Sequence, residues 1–191
     1  MRKLKHDEIP RPDPEAVRHL AKHPVCVVVD NVRSIYNVGS LFRTSDAALV
    51  EKIYLTGFTG TPEHRALRKT ALGAEETVAW QHEPDVQAVV RRLRGEGYTI
   101  AVLEITDTPS RVSSLEPTHF PLCLVVGNEV SGVQDEVVAL ADLALEIPQY
   151  GAKQSLNVAV AYGVAVFGIV ERYRALTERL GQATSEIAGK G

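Results

Sequence analysis

The sequence predicts an α/β fold, a mostly parallel sheet flanked by helices. Three observations carry this reading. Short β-branched runs alternate with helical patterns along the chain, the order expected of strand–helix–strand units. Most of those runs are apolar almost without interruption, as strands covered on both faces are. Finally, 191 residues at 45% hydrophobic and 24% charged suit one compact domain rather than a disordered, collagenous or coiled-coil chain. A domain of this size buries on the order of 70% of the surface its unfolded chain exposes.

Residues 1–24, rich in proline and mixed in charge, read as an irregular or short-helical N-terminal extension. Strands are expected over Val25–Asp30, Lys52–Gly57, Glu76–Trp80, Thr99–Ile105, Leu122–Gly127 and Leu143–Pro148. Helices are expected over Val38–Leu49, Pro62–Leu72, Asp85–Arg94, Val133–Ala141 and from Ser155 to about Leu180. The main domain is therefore expected to occupy residues 25–176, with 177–191 as a flexible tail.

Several function classes are disfavoured by composition alone. The two cysteines, Cys26 and Cys123, each sit inside an apolar run, so they read as core thiols of a reducing compartment rather than a disulfide or zinc framework. The six histidines (His6, His19, His23, His64, His82, His119) lack metal-ligand spacing, and no metal is expected. The N-terminal MRKLKHDEIPRPDPE has no apolar core of a signal peptide, and the longest apolar run, Val158–Val170, is short and glycine-interrupted for a bilayer span. A cytoplasmic protein is expected. With a net charge of −3, any affinity for nucleic acid must come from local patches, such as His64–Lys69.

Ligands of open α/β sheets collect outside the carboxyl ends of the strands. Three loops there are unusual. In DNVRSIYNVGSLFRTSDAA, Asn37 suits a helix N-cap, Gly39 admits close backbone approach, and Arg33 precedes the helix. Arg43, six residues after Asn37, projects about 600° around the helix, well away from that cap. The segment reads either as a capped helix with exposed arginines or as an anion-facing helix start. In LVVGNEVSGVQDE the spacing is G-x-E-x-x-G. Glu129 stands where a dinucleotide loop needs glycine, and no P-loop occurs anywhere. In EIPQYGAKQSLNVAVAYGVAVFGIV, Ser155 is the expected N-cap, Asn157 lies in the first turn, and the helix that follows is apolar on every face.

The ordered set NVRSIYNVGSLFRTSDA, LVVGNEVSGV and IPQYGAKQSLNVAVA resembles the three signature motifs of the SpoU (TrmH-like) RNA ribose 2′-O-methyltransferases of the SPOUT superfamily. The resemblance runs from about Val25 to Tyr173. It implies an α/β sheet whose C-terminal segment forms a deep trefoil knot, an exception to the rule that chains are unknotted. It further implies S-adenosylmethionine as cofactor, a homodimer, and transfer of a methyl group to a ribose 2′-hydroxyl of tRNA or rRNA. Matched position by position, the catalytic set is Asn37, Arg43, Glu129, Ser155 and Asn157, and the cofactor contacts are Leu103, Gly127, Ile147, Ser155 and Leu156. RNA contacts are expected from Arg33, Arg65, Arg68 and Lys69. Buried Glu129 is expected to pair with Arg43 or Arg33, and with Asn37 and Asn157. Two further readings stay open: a non-catalytic RNA-binding factor that keeps the fold, and a dinucleotide enzyme, which Glu129 disfavours.

Overall fold

The computed structural model describes residues 1–10 and 12–188, without the side chains of 181–188. Its six strands are β1 (His23–Asp30), β2 (Val50–Thr56), β3 (Ala79–Glu83), β4 (Thr99–Leu103), β5 (Leu122–Val126) and β6 (Leu143–Leu145). They form one sheet in the order β3-β2-β1-β5-β4-β6. Every pairing is parallel. The chain winds outward from β1 to β3, then crosses back to build the other half, so the winding direction switches between β1 and β5.

Period-2 alternation splits the core into two faces. Val25, Val27 and Val29 of β1 join Leu41, Phe42, Leu67, Val166 and Ile169 on one side. Cys26 and Val28 join Val89, Leu93, Cys123, Val125 and Val137 on the other. Neither face of β1 reaches water, which is why its sequence is a continuous apolar run. Both thiols are free and buried, side by side in the β1–β5 register.

The helices are α1 (Pro14–Arg18), α2 (Ile35–Ala47), α3 (Arg65–Ala71), α4 (Ala74–Thr77), α5 (Val86–Gly95), α6 (Asp135–Val138) and α7 (Val158–Ala188). Gly39 of α2 faces α3, where an added Cβ would come within 2.7 Å of Thr70 Cβ, so this glycine packs helices rather than meeting a ligand. Helix α7 lies on the same side as α2. Its buried Tyr162 shares a 2.6 Å hydrogen bond with Ser45 Oγ, which also donates to Leu41 O at 2.7 Å. No helix among the described residues is long and apolar enough to cross a membrane.

Several boundaries differ from expectation for local reasons. Helix α2 begins at Ile35 because Ser34, not Asn37, is its N-cap, accepting from Asn37 N at 3.3 Å. Helix α7 begins at Val158 because Asn157, not Ser155, caps it, its Oδ1 accepting from Ala159 N at 2.9 Å and Val160 N at 3.3 Å. The third strand is Ala79–Glu83 rather than Glu76–Trp80, since Glu76 and Thr77 complete the single turn of α4. Helices α3 and α6 are shorter than the expected Pro62–Leu72 and Val133–Ala141, with His64 Nδ1 capping α3. Helix α7 continues to Ala188, past the expected end near Leu180; residues 189–191 of the expected tail lie outside the described residues.

Candidate active site

Three loops meet at the carboxyl ends of β4, β5 and β6 around a cavity of about 320 Å³. Leu103, Glu104 and Ile105 come from the first, Val126 to Gly132 from the second, and Leu145 to Val158 from the third. Leu103, Gly127, Ile147, Ser155 and Leu156 all line it, as do Glu129 and Asn157. Seven of the motif-matched positions, far apart in sequence, therefore converge on one space.

Gly127 shapes that space. A Cβ there would lie 2.2 Å from the Gly132 carbonyl carbon and the Val133 nitrogen, so only glycine lets β5 run this close to the returning loop. The loop itself is a small closed turn: Asn128 and Gly132 exchange backbone hydrogen bonds at 3.0 Å in both directions. Asn128 Oδ1 accepts from Val130 N at 2.9 Å and Ser131 N at 3.2 Å, while its Nδ2 donates to Asn31 O at 2.7 Å. Glu104 closes the far side by accepting from Val133 N at 3.1 Å and Ile105 N at 2.9 Å.

Glu129 reaches from this turn to the start of α2. Its two oxygens accept from Arg33 N (2.9 Å), Ser34 N (3.0 Å) and Asn37 Nδ2 (2.8 Å). The partners are thus orphan amides of a helix start and one side-chain amide, not the guanidinium of Arg43 or Arg33 that the sequence suggests. A helix N-terminus leaves N–H groups that favour a carboxylate, so no cation is needed. Asn37 Oδ1 in turn accepts from Asn157 Nδ2 at 3.2 Å, which joins the first turn of α2 to the cap of α7. Glu129 is exposed rather than buried as expected, and what desolvation it has works against the ionised carboxyl. The hydrogen bonds from Arg33, Ser34 and Asn37 outweigh it and hold the group below its ordinary value.

Beneath these groups, Asp30 ends β1 fully buried. Burial pushes its carboxyl up, opposed by hydrogen bonds from Gln134 and Asn31, whose side chains donate at 2.8 and 2.9 Å. Sequence reasoning passed over Glu104, Asn31 and Gln134, and gave Asn128, the neighbour of Glu129, no role of its own. The signal available was position: Glu104 and Asn128 are the first polar side chains beyond apolar strand runs, and Asn31 follows directly on Asp30, where parallel-sheet sites form.

Arg43 stands apart. It lies on the exposed side of α2 and does not line the cavity, and among the described residues no group pairs with its guanidinium. Arg33, Arg65, Arg68 and Lys69 are likewise exposed. The histidines play structural parts: besides His64 at α3, His23 Nδ1 meets Ala48 O at 2.9 Å and His82 Nε2 meets Gly57 O at 2.9 Å.

The cavity can be tested for a nucleoside-like cofactor. Its apolar walls, Leu103, Val126, Leu145, Ile147 and Leu156, suit a flat base, and Gln149, Gln154 and Ser155 offer hydrogen-bonding groups. Three carboxylates, Glu104, Glu129 and Glu146, line it without a lysine or arginine. Such a lining favours a cationic ligand over a pyrophosphate. These features fit a sulfonium nucleoside.

A parallel sheet with a carboxylate-lined cavity at the carboxyl ends of β4, β5 and β6 fits a nucleoside-binding α/β protein. Comparison with known proteins narrows the class. A profile described as the SpoU rRNA Methylase family matches residues 24–167, and the chain belongs to that family. It is 30% identical over 153 residues to a tRNA (guanosine(18)-2′-O)-methyltransferase of Thermus thermophilus, covering 80% of this chain and 77% of that one. The crystal structure of the A. aeolicus TrmH/SpoU tRNA modifying enzyme superposes with a TM-score of 0.75 at 26% identity, over 85% of this chain and 81% of the other. The AdoMet-bound rRNA methyltransferase of Sinorhizobium meliloti gives a TM-score of 0.71 at 27% identity, over 80% of this chain but only 59% of that longer one.

Proposed function

We propose that this chain is an S-adenosylmethionine-dependent RNA methyltransferase that modifies a ribose 2′-hydroxyl of tRNA or rRNA, working as a homodimer in the cytoplasm. The observation that carries the reading is the single cavity lined by Leu103, Gly127, Ile147, Ser155 and Leu156. These five residues would hold the cofactor. When bound, S-adenosylmethionine supplies an electrophilic methyl group on a sulfonium centre.

The chain's own residues do the rest. A ribose hydroxyl is a poor nucleophile, so it must be held in line and relieved of its proton. Glu129, Asn37 and Asn157 are positioning residues that lock the three motif loops together. Arg43 grips a phosphate beside the target ribose and stabilises the alkoxide as it develops, while the hydroxyl proton passes to solvent water. Arg33, Arg65, Arg68 and Lys69 supply the local positive charge that a chain of net charge −3 needs for RNA. Arg43→Lys is expected to lower single-turnover transfer about tenfold, because an ammonium loses the planar two-pronged grip. Full activity in the lysine variant would remove that role.

The second copy is argued from α7. Val160 and Val164 are each more than half exposed, and Phe167 is 44% exposed, at a spacing that makes one apolar stripe. The stripe runs beside α2, where Gly163 faces Thr44, the neighbour of Arg43. Pairing along this face covers the stripe and sets Arg43 at the seam between the subunits. Val164→Glu is expected to shift the dimer to monomer in light-scattering chromatography and to lower methyl transfer. An unchanged dimer would place the interface elsewhere. Cytoplasmic location rests on the two unpaired thiols, Cys26 and Cys123.

We read the last segment as threading the β4–β5 connection to form the trefoil knot. Support comes from the contacts that bracket it. Ser110 N donates to Ala144 O at 2.7 Å, Glu146 N donates to Ser110 O at 2.9 Å, and Arg172 Nε donates to Leu115 O at 2.7 Å.

The function is tested with labelled S-adenosylmethionine and unmodified tRNA and rRNA in separate reactions. Label in one RNA class is the expected result. Cofactor binding without transfer to any RNA would favour a non-catalytic RNA-binding factor instead.

A further inference from the structure

The loop between β2 and α3 is built around an exposed phenylalanine. Phe58 is 63% exposed, yet the backbone at 57–59 is held by hydrogen bonds on every residue. Gly57 has φ +61°, and a Cβ there would lie 2.1 Å from Asn31 Oδ1, so the turn admits only glycine. Gly57 N donates to Glu83 O at 3.2 Å, and its carbonyl meets His82 Nε2. Phe58 N donates to Asn31 Oδ1 at 3.1 Å. Thr59 Oγ1 donates to Val29 O at 3.0 Å and accepts from Val32 N at 3.1 Å. A loop with no task beyond joining two elements has no reason to be tied at each residue while it holds an aromatic ring in water.

The same contacts connect Phe58 to the cavity. Asn31, which takes a positive φ of 52° to make them, accepts from Asn128 Nδ2 through its carbonyl, and Asn128 lines the cavity. Gly60 packs against Ile35 at the first residue of α2, since a Cβ on Gly60 would lie 2.3 Å from Ile35 Cδ1. The next residue, Tyr36, is also 63% exposed. Exposed cations precede and follow the two aromatics along the chain, Arg33 before Tyr36 and Arg65, Arg68 and Lys69 after Phe58. The intervening Glu63 carboxylate is turned onto Thr61 Oγ1 at 3.3 Å.

We propose that Phe58 is a stacking platform for an unpaired base of the substrate RNA, with Arg33, Arg65, Arg68 and Lys69 holding the adjoining phosphates. The inference rests on the RNA-methyltransferase reading above and assigns part of its substrate recognition. A ring fixed before binding loses little entropy when a base settles on it, and stacking tolerates any base. The carboxylate-lined cavity receives the cofactor, and the rigid turn beside it receives the RNA.

The test measures binding of a labelled unmodified RNA substrate by fluorescence anisotropy, together with KM, kcat and cofactor affinity. Phe58→Ala and Phe58→Leu are both expected to weaken RNA binding and raise KM about tenfold, with kcat moving far less and cofactor affinity unchanged. Phe58→Trp is expected to restore binding, since an indole stacks as well as a phenyl ring. A leucine variant with wild-type KM would show that the ring is only a greasy surface and would overturn the platform. If the wild-type protein methylates RNA and Phe58→Ala matches it, the platform alone fails. If the wild-type protein binds no RNA, the proposed function fails and the platform with it.

Discussion

Glu129→Gln is expected to lower methyl transfer about a hundredfold while the protein stays folded, because misplacing catalytic groups by about 1 Å has effects of that order. Both carboxylate oxygens accept, and every donor around them is an N–H: Arg33 N on one oxygen, Ser34 N and Asn37 Nδ2 on the other. A glutamine can satisfy only one side, because its NH₂ must then face a donor. The β5 turn loses its hold on α2, and Asn37 loses the bond that keeps its oxygen on Asn157. The expected signature is a fall in single-turnover rate with little change in the unfolding midpoint.

The same group sets a pH expectation. A carboxyl held below its ordinary value contributes fully above that value, and the contribution is lost as pH falls through the lowered one. The clamp is therefore complete above about pH 4.5 and releases only at lower pH. No fall in rate between neutrality and pH 5 is expected from Glu129, and an acidic limb inside that interval would belong to another group.

Gly127→Ala is expected to raise the S-adenosylmethionine dissociation constant about a hundredfold, equivalent to about 2.7 kcal/mol. Ordinary contact begins near 3.4 Å, whereas the added methyl would lie 2.2 Å from two backbone atoms of the opposing loop. Side chains cannot yield there, so the two loops that form the cavity wall must part by about 1 Å. Titration calorimetry reads the affinity, and circular dichroism confirms the fold. Wild-type affinity in the alanine variant would mean that the cofactor sits elsewhere.

Much of the fold was legible because β1, β4 and β5 are buried on both faces and leave uninterrupted apolar runs. The third strand was misplaced for the complementary reason. Ala79–Glu83 lies at the sheet edge with mostly exposed polar side chains, so the apolar run Val78–Trp80 pulled the expectation toward the preceding turn. Helix starts shifted by three residues wherever two candidate caps competed. Ser34 outcompetes Asn37, whose side chain is then free to accept from Asn157 Nδ2, while Asn157 outcompetes Ser155 and caps α7 through its Oδ1.

In the site, residue types were readable but partners were not. Glu129 and Asn37 lie 92 positions apart, and Asn37 and Asn157 lie 120 apart. Spacing along the chain carries no information about contacts at that range. An arginine was the natural partner to expect for a carboxylate read as buried; the fold instead aims a helix start at it, and no residue type announces backbone amides. Phe58 passed unnoticed because an aromatic after a strand reads as core until its exposure is known.

The most direct test of the central claim locates the transferred methyl group chemically. RNA labelled by the protein from S-adenosylmethionine is hydrolysed in alkali, which cleaves the chain only where a free 2′-hydroxyl stands beside the phosphate. Ribose 2′-O-methylation blocks that cleavage, so the expected result is label confined to alkali-stable dinucleotides. Label released in mononucleotides would put the methyl group on a base and contradict the account.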